Sequence, residues 1–260
     1  MRIALGIEYD GTGYNGWQRQ RTGTGVQQRV EEALTKVANH KVEITCAGRT
    51  DSGVHATAQV VHFDTDAERS SRGWILGINS NLPDDISICW AQPASDDFHA
   101  RFSAVSRSYR YQILNRLIRP ALQRHRAWWI YEQLDASRMH EAAQRLRGEH
   151  DFSAFRAAGC QASRPVREIR DIAVRREGDR ITLEVTANAF LQHMVRNIIG
   201  TLAAIGKGEE SVEWIDEVLA SRDRKHGGIA APPHGLTLIG VDYPAEFNIP
   251  AGEPTAARES

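Results

Sequence analysis

Apolar and polar positions alternate from the start of the chain. Ile3, Leu5, Ile7 and Tyr9 share one side of an extended segment, which predicts a half-buried strand. Val26, Val30, Leu34 and Val37 then recur at spacings of four, four and three, the period of a helix. Strands are expected at 42–46, 59–63 and 86–90, and a helix at 70–79 ended by the Asn81-Leu82-Pro83 stop signal. A second series follows in similar order. It opens on Tyr109, Tyr111 and Ile113 and continues with a helix at 136–146, N-capped by Asp135 and followed by Gly148. Strands at 169–174 and 181–185 come next, then an apolar helix through Phe190, Met194, Ile198, Leu202 and Ile205 that ends in Gly206. Ser211 caps a shorter helix carrying Val212, Ile215, Val218 and Leu219, with Glu209, Glu210 and Glu213 near its positive end.

This order predicts an α+β protein built as two related halves, 1–104 and 105–244, that share a sheet and leave a cleft between them. Residues 81–107 contain no flexible linker. The last segment, 245–260, is polar and rich in small residues and is expected to be a poorly ordered tail.

Composition narrows the setting. No segment approaches the roughly 18 consecutive apolar residues of a membrane helix, and the N-terminus reaches Glu8 and Asp10 too early for a signal-peptide core. A soluble, cytoplasmic protein with no membrane association is expected. Cys46, Cys89 and Cys160 lie far apart, which suggests neither a disulfide framework nor a zinc ribbon. The net charge of −1 argues against general nucleic-acid adhesion, yet residues 98–131 hold no Asp or Glu and seven arginines, from Arg101 and Arg110 to Arg126. That is a local basic face.

Two motifs carry candidate chemistry. Gly11-Thr12-Gly13-Tyr14-Asn15-Gly16 fits the dinucleotide fingerprint, but Trp17 to Arg21 stand where a helix should start, and no acidic residue ends a second strand about 20 positions on. A glycine-rich loop carrying Gln18 and Arg19 towards a ligand fits better. The other motif is Ala47-Gly48-Arg49-Thr50-Asp51-Ser52-Gly53-Val54-His55-Ala56, a polar loop between two strands. Thr-Asp-Ser-Gly is good turn chemistry, and residue types alone leave both a plain turn and a catalytic Asp51 open. The scattered histidines show no His-x-x-x-His or Cys pair, so no metal site is expected.

AGRTDSGVHA resembles the signature loop of the A-type tRNA pseudouridine synthases. Further blocks are similar in family order: Tyr9-Asp10-Gly11 with Gly16-Trp17-Gln18, FHARFSA at 98–104, Ser108 to Tyr111, HDFSAF at 150–155, FLQHMVRN at 190–197 and APPHGL at 231–236. Gly25 and Ala58 depart from the usual pattern, and neither touches the implied chemistry. The resemblance implies the pseudouridine synthase fold with a largely antiparallel central sheet. It implies isomerisation of uridine at positions 38 to 40 of the tRNA anticodon stem-loop, a homodimer, and neither metal nor cofactor.

The resemblance also makes Asp51 the catalytic carboxylate, Arg196 its partner and Tyr109 the ring against the target base. Arg196 lies amid Met194, Val195, Ile198 and Ile199, where burial is costly without a partner. Arg49, Gln18, Arg19, His55, Arg101 and Arg110 are expected to contact RNA, and Tyr111 to stay in the core. A non-catalytic module binding structured RNA is the alternative, and Asp51 discriminates the two.

Overall fold

The structure, a computed structural model, describes residues 1–251. Residues 252–260 of the expected tail lie outside the described residues. The architecture is mixed α+β with a large, mostly antiparallel sheet. Two compact units emerge: Met1–Arg107 together with the described residues from Leu238 on, and Ser108–Thr237. From Leu238 on, the final strand therefore groups with the first unit, whereas the sequence pattern assigned it to the second half.

In the first unit the strand β1 (Arg2–Tyr9) pairs antiparallel with β3 (His55–Asp64) and β4 (Ile86–Ala94). Strand β10 (Leu236–Asp242) lies beside β3. Of the expected strand at 42–46 only β2 (Thr45–Cys46) pairs, with His62 and Val61 of β3. Val42 and Ile44 are nevertheless buried, Ile44 donating its amide to Glu31 Oε1 at 3.1 Å. Helix α1 (Val26–Ala38) buries Val26, Val30 and Leu34 of the predicted stripe, while Val37 is half-buried and Ala38 is buried beside it. Helix α2 (Ser71–Asn79) is capped by Ser70 and buries Trp74, whose ring meets Phe63 edge-on at 5.4 Å. Beyond β10, Ala245–Phe247 form a short 3-10 turn, and Phe247 packs 5.4 Å from Phe98, so the described start of the expected tail is structured.

In the second unit β5 (Ser106–Asn115) lies beside β9 (Arg180–Ala187), β9 beside β8 (Val166–Glu177), and β8 beside β7 (Gly148–Asp151). Strand β6 (Trp128–Ile130) pairs parallel with β5. A two-residue loop joins β8 to β9, with Gly178 at φ 57° supplying the positive φ such hairpins need. Asp135 caps α3 (Ala136–Gln144) as expected, accepting from Ser137 and Arg138 amides. Gly148 does not end that helix: it opens β7 at φ 93°. Helix α4 (Met194–Lys207) starts after Phe190 and runs through Gly206, and Gly208 in the left-handed region closes it. Ser211 does not cap α5 (Trp214–Ser221), where Glu213 holds the cap position without a side-chain bond. Among the described residues no helix is long and apolar enough to cross a membrane.

Candidate active site

The loop carrying Asp51 is fastened from several directions within the first unit. Its entry is tied to β3, since Ala47 N–H donates to Val60 O at 2.8 Å and Gln59 Nε2 to Gly48 O at 2.7 Å. Its turn closes by a Val54 N–H bond to Asp51 O at 3.1 Å, with Gly53 at φ 77° in the position where a type II turn requires it. Asp51 itself is half-buried.

The glycine-rich segment 11–16 packs against this turn. A β-carbon on Gly11 would fall 2.0 Å from Val54 O, and one on Gly16, at φ 88°, would fall 2.7 Å from Thr50 O. Only glycine lets the two backbones meet so closely. Trp17 N–H donates to Thr50 O at 3.0 Å, the Tyr9 and Thr50 hydroxyls bond at 2.8 Å, and Ser52 Oγ donates to Tyr14 O at 3.1 Å. The apparent dinucleotide fingerprint is thus a buttress for the Asp51 loop.

Other expected contact residues divide by environment. Gln18, Arg49 and Arg101 are exposed. Arg49 and Arg101 both lie near the Cys46 thiol, which burial pushes up to about 11 against their opposing charge. Arg19 is exposed but ion-paired to Glu31, a buried carboxylate that also accepts from Gln27 Nε2 at 3.0 Å. His55 is buried, and its Nδ1 accepts the Gly11 amide at 3.0 Å. Asp10 Oδ1 lies 3.1 Å from the same ring nitrogen. The structure gives His55 and Arg19 parts in holding the scaffold.

In the second unit Tyr109, on β5, is nearly buried and meets Phe190 edge-on, ring centroids 5.1 Å apart. Tyr111 is fully buried, as expected of a core ring, and donates to Pro232 O at 2.8 Å. Burial drives its phenol far above the ordinary value, with the Arg196 cation opposing. Arg110 pairs with Glu184 at 2.8 Å. Arg196 is half-buried on the first turn of α4, its Nε donating to Ala231 O at 2.8 Å while its own carbonyl accepts from Ala231 N–H at 3.0 Å. This two-way tie fixes where the guanidinium leaves the helix.

Sequence reading missed three supports. Glu31 falls on the buried face of α1 with Val30, Leu34 and Ala38, and a carboxylate inside an apolar stripe was the available signal. Arg107 gives its guanidinium to the carbonyls of Ala47, Arg101 and Ala104 at 2.9, 2.7 and 3.1 Å, which no local pattern announces. His193, at φ 62°, is a non-glycine residue held in the left-handed region directly before α4. Among the described residues no group of three or more His, Cys, Asp or Glu is arranged to hold a metal ion.

The chain belongs to the tRNA pseudouridine synthase family, whose model matches residues 6–103 and 142–244. Within it the similarity is to proteins named tRNA pseudouridine synthase A. The one from Coxiella burnetii is 56% identical over 249 residues, covering 96% of this chain and 95% of that protein. The Aeromonas hydrophila protein is 56% identical over 250 residues, covering 96% and 93%, and that of Methylococcus capsulatus 54% over 249, covering 96% and 92%.

Proposed function

We propose that this chain is an isomerase that converts uridine to pseudouridine at positions 38, 39 and 40 of the tRNA anticodon stem-loop, with Asp51 as its catalytic carboxylate. Family membership and the name shared by its relatives support the reaction. The observation that supports Asp51 is the fastening of its turn: a catalytic carboxylate must be aimed before substrate arrives, and this loop is bonded on both sides and backed by two glycines.

The reaction breaks the N1–C1′ bond, turns the uracil, and forms a C5–C1′ bond; C5 loses a proton and N1 gains one. Nothing is oxidised, so a carboxylate suffices and neither cofactor nor metal is needed. An ionised Asp51 acts on the sugar or base of an extruded nucleotide. Arg196, fixed by Ala231, supplies the cation that orients the carboxylate. Tyr109 offers a rigid ring to the base. Arg49 and Gln18 meet the RNA, and Arg110 contributes from its Glu184 pair.

The experiment compares wild type with Asp51→Asn on unmodified tRNA in chelator-treated buffer without added cofactor, mapping pseudouridine by position. Wild type should modify positions 38 to 40, and the variant should bind tRNA with similar affinity but form no product. Normal turnover by a folded Asp51→Asn protein would remove the carboxylate from the chemistry and leave only RNA binding to explain the site. The same reading has the enzyme working in the cytoplasm as a homodimer, a state that sedimentation of the active enzyme tests directly.

A further inference from the structure

The segment following β4 carries an aromatic stack that ends in solvent. Phe102 is 77% exposed, an uncommon position for a phenyl ring. One of its faces lies on the His99 imidazole, centroids 4.3 Å apart and planes 28° from parallel. His99 in turn lies 4.8 Å from the buried His62 ring.

Main-chain bonds set this stack. Ala100 N–H donates to His62 Nδ1 at 3.1 Å, and the amides of Arg101 and Phe102 both donate to His99 Nδ1, at 3.2 and 3.1 Å. His99 N–H donates to Ser103 Oγ at 3.0 Å, and Ser103 N–H returns to His99 O at 2.9 Å. An exposed ring on a backed support keeps its orientation instead of collapsing onto the surface. Burial holds the His62 and His99 rings below their ordinary values, so the layers under Phe102 are neutral at pH 7. The Arg101 guanidinium lies 5.6 Å from the Phe102 centroid. Arg107 then binds this turn to the catalytic loop, one Nη2 donating both to Arg101 O and to Ala47 O, the residue that opens the Asp51 segment.

A flat apolar face, neutral layers beneath it and a cation at its edge match one partner chemistry: an unpaired nucleobase whose phosphate meets the guanidinium. We propose that Phe102, with Arg101 beside it, is a stacking platform for an unpaired base of the RNA substrate near the uridine undergoing isomerisation. This rests on the isomerase reading and adds to it a binding residue that acts through shape, whereas the neighbouring arginines act through charge.

The test measures pseudouridine formation and tRNA affinity for Phe102→Ala, Phe102→Leu and Phe102→Trp, with unfolding midpoints to show that each folds. Ala and Leu should each raise KM on the order of tenfold, with the effect in KM rather than kcat, and Trp should restore it. The salt dependence of binding should be unchanged by Phe102→Ala and reduced by about one phosphate contact in Arg101→Ala. Anticodon-arm RNA carrying 2-aminopurine beside the target should be quenched on binding wild type and less so on Phe102→Ala. A leucine variant that binds as well as wild type, or an alanine variant altered only in self-association, overturns the platform. Wild type that forms no pseudouridine would defeat the isomerase reading instead, so the two failures are distinguishable.

Discussion

At the scale of single residues, burial decides what a polar side chain can do. His62 is held by its ring nitrogen and surrounded so that burial, then the charges of Arg2 and His99, push its pKa down to about 4, with Asp64 opposing. In the unfolded chain it titrates near the ordinary value of about 6.5. Between those two values the unfolded chain takes up a proton that the folded chain refuses, so stability falls as pH drops from about 6.5 towards about 4. Urea unfolding midpoints measured across that range should decline for wild type and decline less for His62→Gln, whose amide oxygen can still accept from Ala100. An identical decline in the variant would assign the effect to other groups. Legibility varied at this scale: Tyr111 reads as core and is core, while the bonds of His55 to Gly11 and of Arg19 to Glu31 could not be read, because those partners are brought close only by folding.

At the scale of elements, α4 and residues 227–231 form the mount for Arg196. Gly200 is where they touch, since a β-carbon there would fall 1.7 Å from Ile229 O. Around it, Gly228 N–H donates to Thr201 Oγ1 at 3.1 Å and Arg224 Nη2 to Gly228 O at 2.8 Å. Helix propensity alone favours alanine over glycine by about 1 kcal/mol. Overpacking against main chain costs about 1–3 kcal/mol and should win. Gly200→Ala is therefore expected to lower the urea midpoint and to shift residues 227–231, loosening the Ala231 tie and slowing turnover; a stabilised, fully active variant would refute this. Caps show what a local pattern can reveal. Asp135 bonds the first amides of its own helix and was readable, whereas the end at Gly206 and the N-cap at Ser211 were misplaced: α4 runs on to Lys207 and α5 begins only at Trp214.

At the scale of the whole molecule, a net charge of −1 coexists with an acid-free run of seven arginines. The structure sorts that run. Arg107 binds carbonyls and Arg110 a carboxylate, while Arg119 and Arg126 stand exposed in the connection between β5 and β6. Replacing either of the exposed pair with alanine should weaken tRNA binding and lower the slope of affinity against salt by about 0.7–0.9, without abolishing turnover. An unchanged slope would remove that arginine from the RNA footprint.

By itself the amino-acid order determined the α+β class, the helices α1 to α3, the strands with strong alternation, and the family through the Asp51 loop and its companion blocks. Each of these is a property of neighbours within one element or one motif, where periodicity and turn chemistry act directly. Only the tertiary structure decided that segment 11–16 buttresses Asp51, that Arg107 clamps rather than reaches out, and that β10 joins the first unit. Those outcomes depend on hydrogen bonds and close backbone contacts between residues tens or hundreds of positions apart, and such partners exist only once the chain has folded.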